Sequence, residues 1–296
     1  MPNITTHQSS STTKILLIGD SGSAKTGSLA SLAAAGYKLR ILDLDNGLEI
    51  LRNYLTDAKS PYVVQNPKCA ENVTFKTLTD PMKNLGGTLV PTRVTVWRRT
   101  MESLIHWKEE DGTDLGKIAD WDTNTVLVID SLSALSDAAL NFHLSMNNAL
   151  GNPRTQNEAR RDVGSAQALL RQFLQLIKDD SIKCNVILTA HITFVNEVGE
   201  KPGGEGISSL GTGYPAAIGR ALSPHVPRGF NAMLICKTQG AGSAIRHKIY
   251  TRSQNVGGMI VSGKNPAPLR VASEYPVETG LADYFRDVRG ETKASN

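Results

Sequence analysis

The sequence predicts an α/β fold: a mostly parallel, twisted sheet flanked by helices, with late antiparallel strands. Three observations carry this. The apolar runs at 15–18, 125–129 and 185–189 are continuous rather than alternating, as expected of strands covered on both faces. Segments with helical spacing lie between them. Several runs stop at Gly, Asp or His, where an open parallel sheet places its ligand.

In order, the first 13 residues are polar and Ser/Thr-rich and are expected to form a flexible tail. Residues 14–290 are expected to form one core, and 291–296 a second tail. Within the core, Ile15–Ile18 predicts the first strand and 36–45 a second, ending at Asp43 and Asp45. Asn46-Gly47 predicts a turn into a short helix over Leu48–Leu55. The stretch 56–120 reads as a variable insert, with a strand at Val73–Leu78, a helix over Val94–Trp107 and a polar surface excursion from Lys108 to Asp122. TVLVID (125–130) is a buried strand, and Ser131–Leu144 follows with apolar patterning. Residues 147–162 are polar and turn-rich. Gly164–Lys178 presents Leu169, Leu170, Phe173, Leu174 and Ile177 on one helical face. NVILT (185–189) is a further strand, followed by Ala190-His191 and a Gly-rich loop over 196–219. Ala232–Cys236, Ile245–Thr251 and Gly258–Val261 predict late antiparallel strands, and Leu281–Val288 a closing helix.

Composition sets bounds. Of 296 residues, 40% are hydrophobic and 20% charged, as in a water-soluble globular protein. The net charge of +4 permits a nucleic-acid partner without arguing for one. Cys69, Cys184 and Cys236 form no metal motif and no evident disulfide framework, so a reducing, cytoplasmic setting is expected. No run reaches the roughly 18 apolar residues of a membrane helix, and no membrane association is expected.

The chemistry concentrates at residues 14–30, KILLIGDSGSAKTGSLA. A strand stops at Gly19, and Asp20, Ser21, Gly22, Ser23 and Ala24 form a turn whose backbone N–H groups can converge on one anion. Lys25 can reach the β- and γ-phosphates of a nucleotide, Thr26 can hold magnesium, and Gly27 lies in the helix whose positive end faces the same point. The G-x-x-x-x-G-K-[ST] pattern is met except at Ala24. Asp130 can orient water on the metal, or alternatively cap the helix that follows. Ser131 stands where many phosphate-loop ATPases place a glutamate base, so the base is sought at another strand end. A carboxylate of the second strand is the candidate, on the expectation that this strand neighbours the first; Asp43 and Asp45 share one face of it, either could be the base, and Asp45, nearer the strand end, is favoured. His191, at a fourth strand end, can sense the γ-phosphate.

These segments resemble the RecA-like ATPases, and most closely the RecA-core proteins of phages described as AAA-domain or Sak-type single-strand annealing proteins. The resemblance rests on GDSGSAKT (19–26), LRILDLDNG (39–47), TVLVIDSLSAL (125–135), GSAQALLRQFLQLIK (164–178) and NVILTAHI (185–192), continuing through 219–230, 249–252 and 263–268. It implies a RecA-like phosphate-loop ATPase using ATP and Mg²⁺, with Lys25, Thr26 and Asp130 in the motif roles. Asp45 aligns with a position usually held by glutamate, and His191 with a sensing residue. The family's late strands carry basic residues that reach a neighbouring subunit's nucleotide. Arg246, Lys248, Arg252 and Lys264 are the candidates here, Arg252 the first choice.

The resemblance also implies single-stranded DNA binding by two loops. Arg154, Arg160 and Arg161 lie in the first, Lys201 and Arg220 in the second. A homo-oligomer, filament or ring, is implied, and a single-strand-binding protein is a further partner. The rival readings are a nucleotide-gated adaptor with weak hydrolysis and no DNA contact, or a phosphate-loop kinase of small molecules, for which the sequence offers no lid.

Overall fold

The computed structural model describes residues 12–109, 111–195, 211–240 and 242–291. Strand β1 (Lys14–Gly19) leads through the loop into two short helical turns, α1 (Lys25–Ser28) and α2 (Ala30–Ala34). Then come β2 (Lys38–Asp43), α3 (Glu49–Thr56), α4 (Pro61–Gln65) and β3 (Val73–Thr77). A hairpin of β4 (Met82–Leu85) and β5 (Thr88–Pro91) precedes α5 (Val96–Ile105), and a second pairs β6 (His106–Lys108) with β7 (Asp114–Lys117). The central run is β8 (Thr125–Asp130), α6 (Leu132–Met146), α7 (Gln156–Lys178) and β9 (Asn185–Ala190). The last third holds β10 (Ile192–Val195), β11 (Thr212–Pro215), a 3₁₀ segment over Ser223–Gly229 and β12 (Ala232–Gln239). It ends with β13 (Arg246–Tyr250), β14 (Gln254–Val256), β15 (Met259–Val261), β16 (Glu274–Pro276) and α8 (Gly280–Arg289).

The main sheet has eight strands in the order β16-β13-β12-β1-β9-β8-β2-β3. The six from β12 to β3 are mutually parallel, and β13 and β16 add antiparallel strands at one edge. Alternation along β1 explains its continuous apolar reading. Leu16 and Ile18 enter a core with α5, α6 and α7, whereas Ile15 and Leu17 enter a second core with α2, α3 and α8. Each strand residue thus has a helix layer to pack against on either face.

Several expectations are corrected. The second strand does not neighbour the first, because β9 and β8 lie between β2 and β1. Sequential strands are adjacent only about two-thirds of the time, and here the chain crosses over the sheet to fill those places. The segment 147–162 is not one loop. Thr155 and Glu158 form a reciprocal capping box that starts α7 at Gln156, so Arg160 and Arg161 lie on a helix. The supposed excursion 108–122 is stitched inward, with Ile118 fully buried and Trp121 packed 5.8 Å from the ring of fully buried Trp107. The three cysteines are free and buried. Among the described residues no helix is long and apolar enough to cross a membrane.

Candidate functional site

The carboxyl ends of β1, β2, β8 and β9 frame a cleft of about 640 Å³. Residues 21–27 form its floor, and Asp45, Tyr54, Asp130, His191 and His247 are around it. The order β12-β1-β9-β8 sets this geometry, because one strand separates the phosphate loop from Asp130.

The loop turns by local bonding. Ser23 N and Oγ both donate to the Asp20 carbonyl, at 3.2 and 2.7 Å. Gly22 and Ala24 take left-handed backbone, φ 75° and 67°. Ala24 therefore adopts the conformation that glycine takes at low cost, and its Cβ opposes it. At Gly19 a Cβ would stand 2.6 Å from the Cys236 carbonyl, so a side chain there would force the loop off β12.

Lys25 is buried, and its Nζ donates to the carbonyls of Gly19 and Asp20 at 2.8 and 2.9 Å. Burial lowers its pKa, opposed by Cys236, Asp130, Asp20 and Asp45. The same burial pushes the Cys236 thiol up to about 12, against the pull of Lys25.

Asp130 is 4% exposed and accepts from two hydroxyls, Thr26 Oγ1 on Oδ2 at 2.7 Å and Thr189 Oγ1 on Oδ1. Burial raises its pKa, with the two hydroxyls opposing. The capping alternative is set aside: Ser131 is the N-cap of α6, and Asp130 holds the two threonines instead of helix N–H groups. The Asp130–Ser131 peptide is cis.

Asp43 and Asp45 separate. Strand β2 ends at Asp43, whose buried carboxylate accepts from Gly47 N and Thr77 Oγ1, both at 3.1 Å. Asp45 lies beyond the strand, exposed and facing the cleft, and no hydrogen bond holds it among the described residues. The expectation that both share one strand face is corrected by the bend at 44–45 and by Asn46 at φ 52°.

The basic candidates scatter. Strand β13 runs antiparallel to β12, so Arg246 lies at the cleft end, whereas Arg252 lies beyond the far end and donates to the Pro268 carbonyl. Lys248 pairs with Glu274, and Lys264 donates to the Phe230 carbonyl beside Met233. Arg154 forms a two-point pair with Asp162, at 2.8 and 3.1 Å. Arg160, Arg161 and Arg220 are exposed, and Lys201 falls outside the described residues.

Two cleft residues escape the sequence reading. Thr189, fully buried in β9, braces Asp130. His247 of β13 lines the cleft, with Nδ1 3.1 Å from Thr238 Oγ1. Its signal was present, since period-two alternation in RHKIY puts His247 on the face of buried Ile249. A hydroxyl, a carboxylate, a loop of N–H groups and an ammonium form a donor set suited to a polyphosphate and a hard cation.

No known family model matches the chain, and no curated protein matches it. Among solved structures it is similar to the RadB recombinase, at 13% identity over 84% of this chain and 90% of that one, with a TM-score of 0.39. It is also similar to the flagellar accessory protein FlaH from Methanocaldococcus jannaschii, at 13% identity over 90% and 87% of the two chains, TM-score 0.40. A KaiC-like protein from Pyrococcus horikoshii OT3 matches at 14% identity over 84% and 89%, TM-score 0.34. The sheet order stands on its own: this is an α/β chain with a mostly parallel, helix-flanked sheet and antiparallel strands at one edge.

Proposed function

We propose that the chain is a RecA-like ATPase that binds ATP with Mg²⁺ in this cleft and acts on single-stranded DNA in phage-type recombination or annealing. The observation that carries the reading is the chain of contacts Thr26–Asp130–Thr189, set beside a phosphate loop with buried Lys25. Lys25 leaves its two loop carbonyls for phosphate oxygens when the nucleotide enters. Thr26 and Asp130 would hold the magnesium ion, which offsets phosphate charge when bound. In this reading Asp45, which lines the cleft, takes a proton from an attacking water, and His191 and His247, which line it too, hydrogen-bond the phosphates.

Support for DNA contact comes from exposed Arg160, Arg161 and Arg220, which would give salt-dependent, sequence-independent binding. Support for assembly into a filament or ring comes from β3. This edge strand of the main sheet leaves Phe75 exposed. A basic residue of the late strands, Arg252 or Arg246, would then serve a neighbouring subunit's nucleotide. A cytoplasmic setting and a single-strand-binding partner belong to the same reading.

Lys25→Ala tests it. The variant should keep its fold and lose ATP binding, and the wild-type chain should hydrolyse ATP faster with single-stranded DNA. Unchanged nucleotide affinity in the variant would remove the site assignment. One observation favours a second reading, a nucleotide-gated adaptor that hydrolyses poorly: Asp45 is shorter than glutamate and is held by no hydrogen bond among the described residues. ATP binding without turnover and without DNA retention would select it.

A further inference from the structure

A second cleft, of about 430 Å³, lies between the carboxyl half of α7 and the 3₁₀ segment Ser223–Gly229. Arg171, Lys178, His225 and Arg228 line it, and no carboxylate does. Among the described residues none of these four side chains has a hydrogen-bonded or ion-paired partner. Of the two carboxylates that follow Lys178, Asp179 accepts from Ser181 N at 2.8 Å, and neither Asp179 nor Asp180 lines the cleft. Both lining elements run into the amino ends of parallel strands, β9 and β12, so this cleft sits at the opposite end of the sheet from the phosphate loop.

The three cations, Arg171, Lys178 and Arg228, are not simply a helix end. Attraction to the carboxyl end of a helix accounts for a cation in its last turn, which is Lys178. Arg171 lies seven residues earlier, and Arg228 belongs to another element. The arrangement also continues along α7. Arg160, Arg171 and Lys178 fall within about 20° of one another around the axis and span roughly 27 Å. Residues 217–229 lie along that flank. Gln167 donates to the Ile218 carbonyl at 3.0 Å, and the Lys178 stem lies against Gly229. Exposed Arg220 follows that crossing, so the positive charge continues past it. Unneutralised like charges held together on a rigid edge create a field that favours a polyanion.

We propose that this ridge is a binding site for the phosphodiester backbone of duplex DNA. Single-strand sites combine cations with aromatic platforms on which bases stack. The lining of this cleft has no aromatic ring apart from the His225 imidazole. Cations without stacking groups contact phosphates alone, which is what a duplex presents along its outside. The inference rests on the DNA reading above and adds to it a contact for the paired strands, centred on Arg171, Lys178 and Arg228 and adjoining Arg160 and Arg220.

The test is fluorescence anisotropy of the full chain with ATP and Mg²⁺, using a labelled duplex of about 20 base pairs, longer than the ridge, and a single strand of equal length. Arg171→Ala/Arg228→Ala should weaken duplex binding roughly tenfold or more and reduce the slope of log K against log salt by about 1.8. Single-strand and ATP affinities should change less than about twofold. Arg171→Lys/Arg228→Lys should restore most of the salt slope, and a thermal melt checks that both variants fold. Unchanged duplex affinity and slope in the alanine variant would overturn the proposal, as would loss of single-strand binding alone. Wild-type protein that binds single strands but not duplex overturns this inference and leaves the proposed function standing. Binding to neither strand removes both. Capture by phosphatidylserine vesicles, with no duplex binding, would reassign the ridge to a lipid surface.

Discussion

The Thr26 hydroxyl donates to Oδ2 of Asp130 at 2.7 Å, joining the helix that follows the loop to a strand that does not touch β1. The two oxygens act as one unit, with Thr189 fixing the carboxylate from its other side. Thr26→Ala and Asp130→Asn should each lower magnesium-dependent ATP affinity by about 10–100-fold. Because they share a contact, the double variant should lose little more than the worse single one. Calorimetric titration with ATP, with and without magnesium, checks this, and fully additive losses would contradict it.

Ala24 places a Cβ at φ 67°. Left-handed backbone costs a residue with a side chain about 1–2 kcal/mol, and glycine gives back about 0.4–1 kcal/mol through the freer unfolded chain. Ala24→Gly should therefore stabilise the protein by roughly 0.5–1 kcal/mol. Urea unfolding measures it; a loss of stability would mean the loop relaxes without strain.

Much of this site was legible in the chain because its residues end apolar runs. Gly19 and Asp130 each end a buried strand and His191 follows one, and parallel strands gather such ends at one edge. The interposition of β9 between β1 and β8 was not legible, since no local pattern specifies which strands cross over. The separation of Asp43 from Asp45 was hidden for the same reason: register sets Asp43 opposite Asp130, Thr77 of β3 supplies its hydrogen bond, and only Asp45 reaches the cleft. Thr189 was hidden as an ordinary strand residue, its hydroxyl meaningful only once β9 lies beside β8. The start of α7 was readable in T-x-x-E at 155–158, and was masked by the polar run around it.

Arg154 is spoken for by Asp162, which also receives His143 at 3.2 Å. Its bonds to Asp162 make it a brace between the loop and α7, so Arg154→Ala should lower stability. Arg160→Ala should leave stability within about 0.5 kcal/mol and weaken DNA binding instead. The Arg154 guanidinium holds the Asp162 carboxyl below its ordinary value, with His143 adding to the effect. A depressed folded-state pKa gives stability that is present above the unfolded carboxylate value and lost as the pH falls through the folded one. The stability of the wild type should accordingly fall as the pH drops from the unfolded to the folded carboxylate value, and Asp162→Asn should show a shallower dependence of stability on acid over that range. Equal acid profiles would contradict the brace.

Asp45 and Asp43 separate by experiment as they do in space. Asp45→Asn should bind ATP as wild type does and hydrolyse it about 100-fold more slowly, the usual scale for a lost general base. Asp43→Asn should instead lower stability by about 1–2 kcal/mol, through the bonds to Gly47 and Thr77. Single-turnover hydrolysis and urea unfolding, run on both, distinguish them; equal turnover in the Asp45 variant would place the base elsewhere.

His247 reaches the cleft from β13, a strand antiparallel to the strands that carry the loop and Asp130. Its Nδ1 faces Thr238 Oγ1, which leaves Nε2 as the ring nitrogen able to meet a phosphate oxygen. Thr238→Val would remove the hydroxyl that orients the ring while leaving the imidazole in place. His247→Ala should raise the dissociation constant for ATP by roughly 2–10-fold, the scale of one hydrogen bond, and Thr238→Val by less. Both effects should shrink for AMP, which lacks the distal phosphates. Equal losses for ATP and AMP would place His247 at the base or sugar, and no loss for either would leave it a cleft wall.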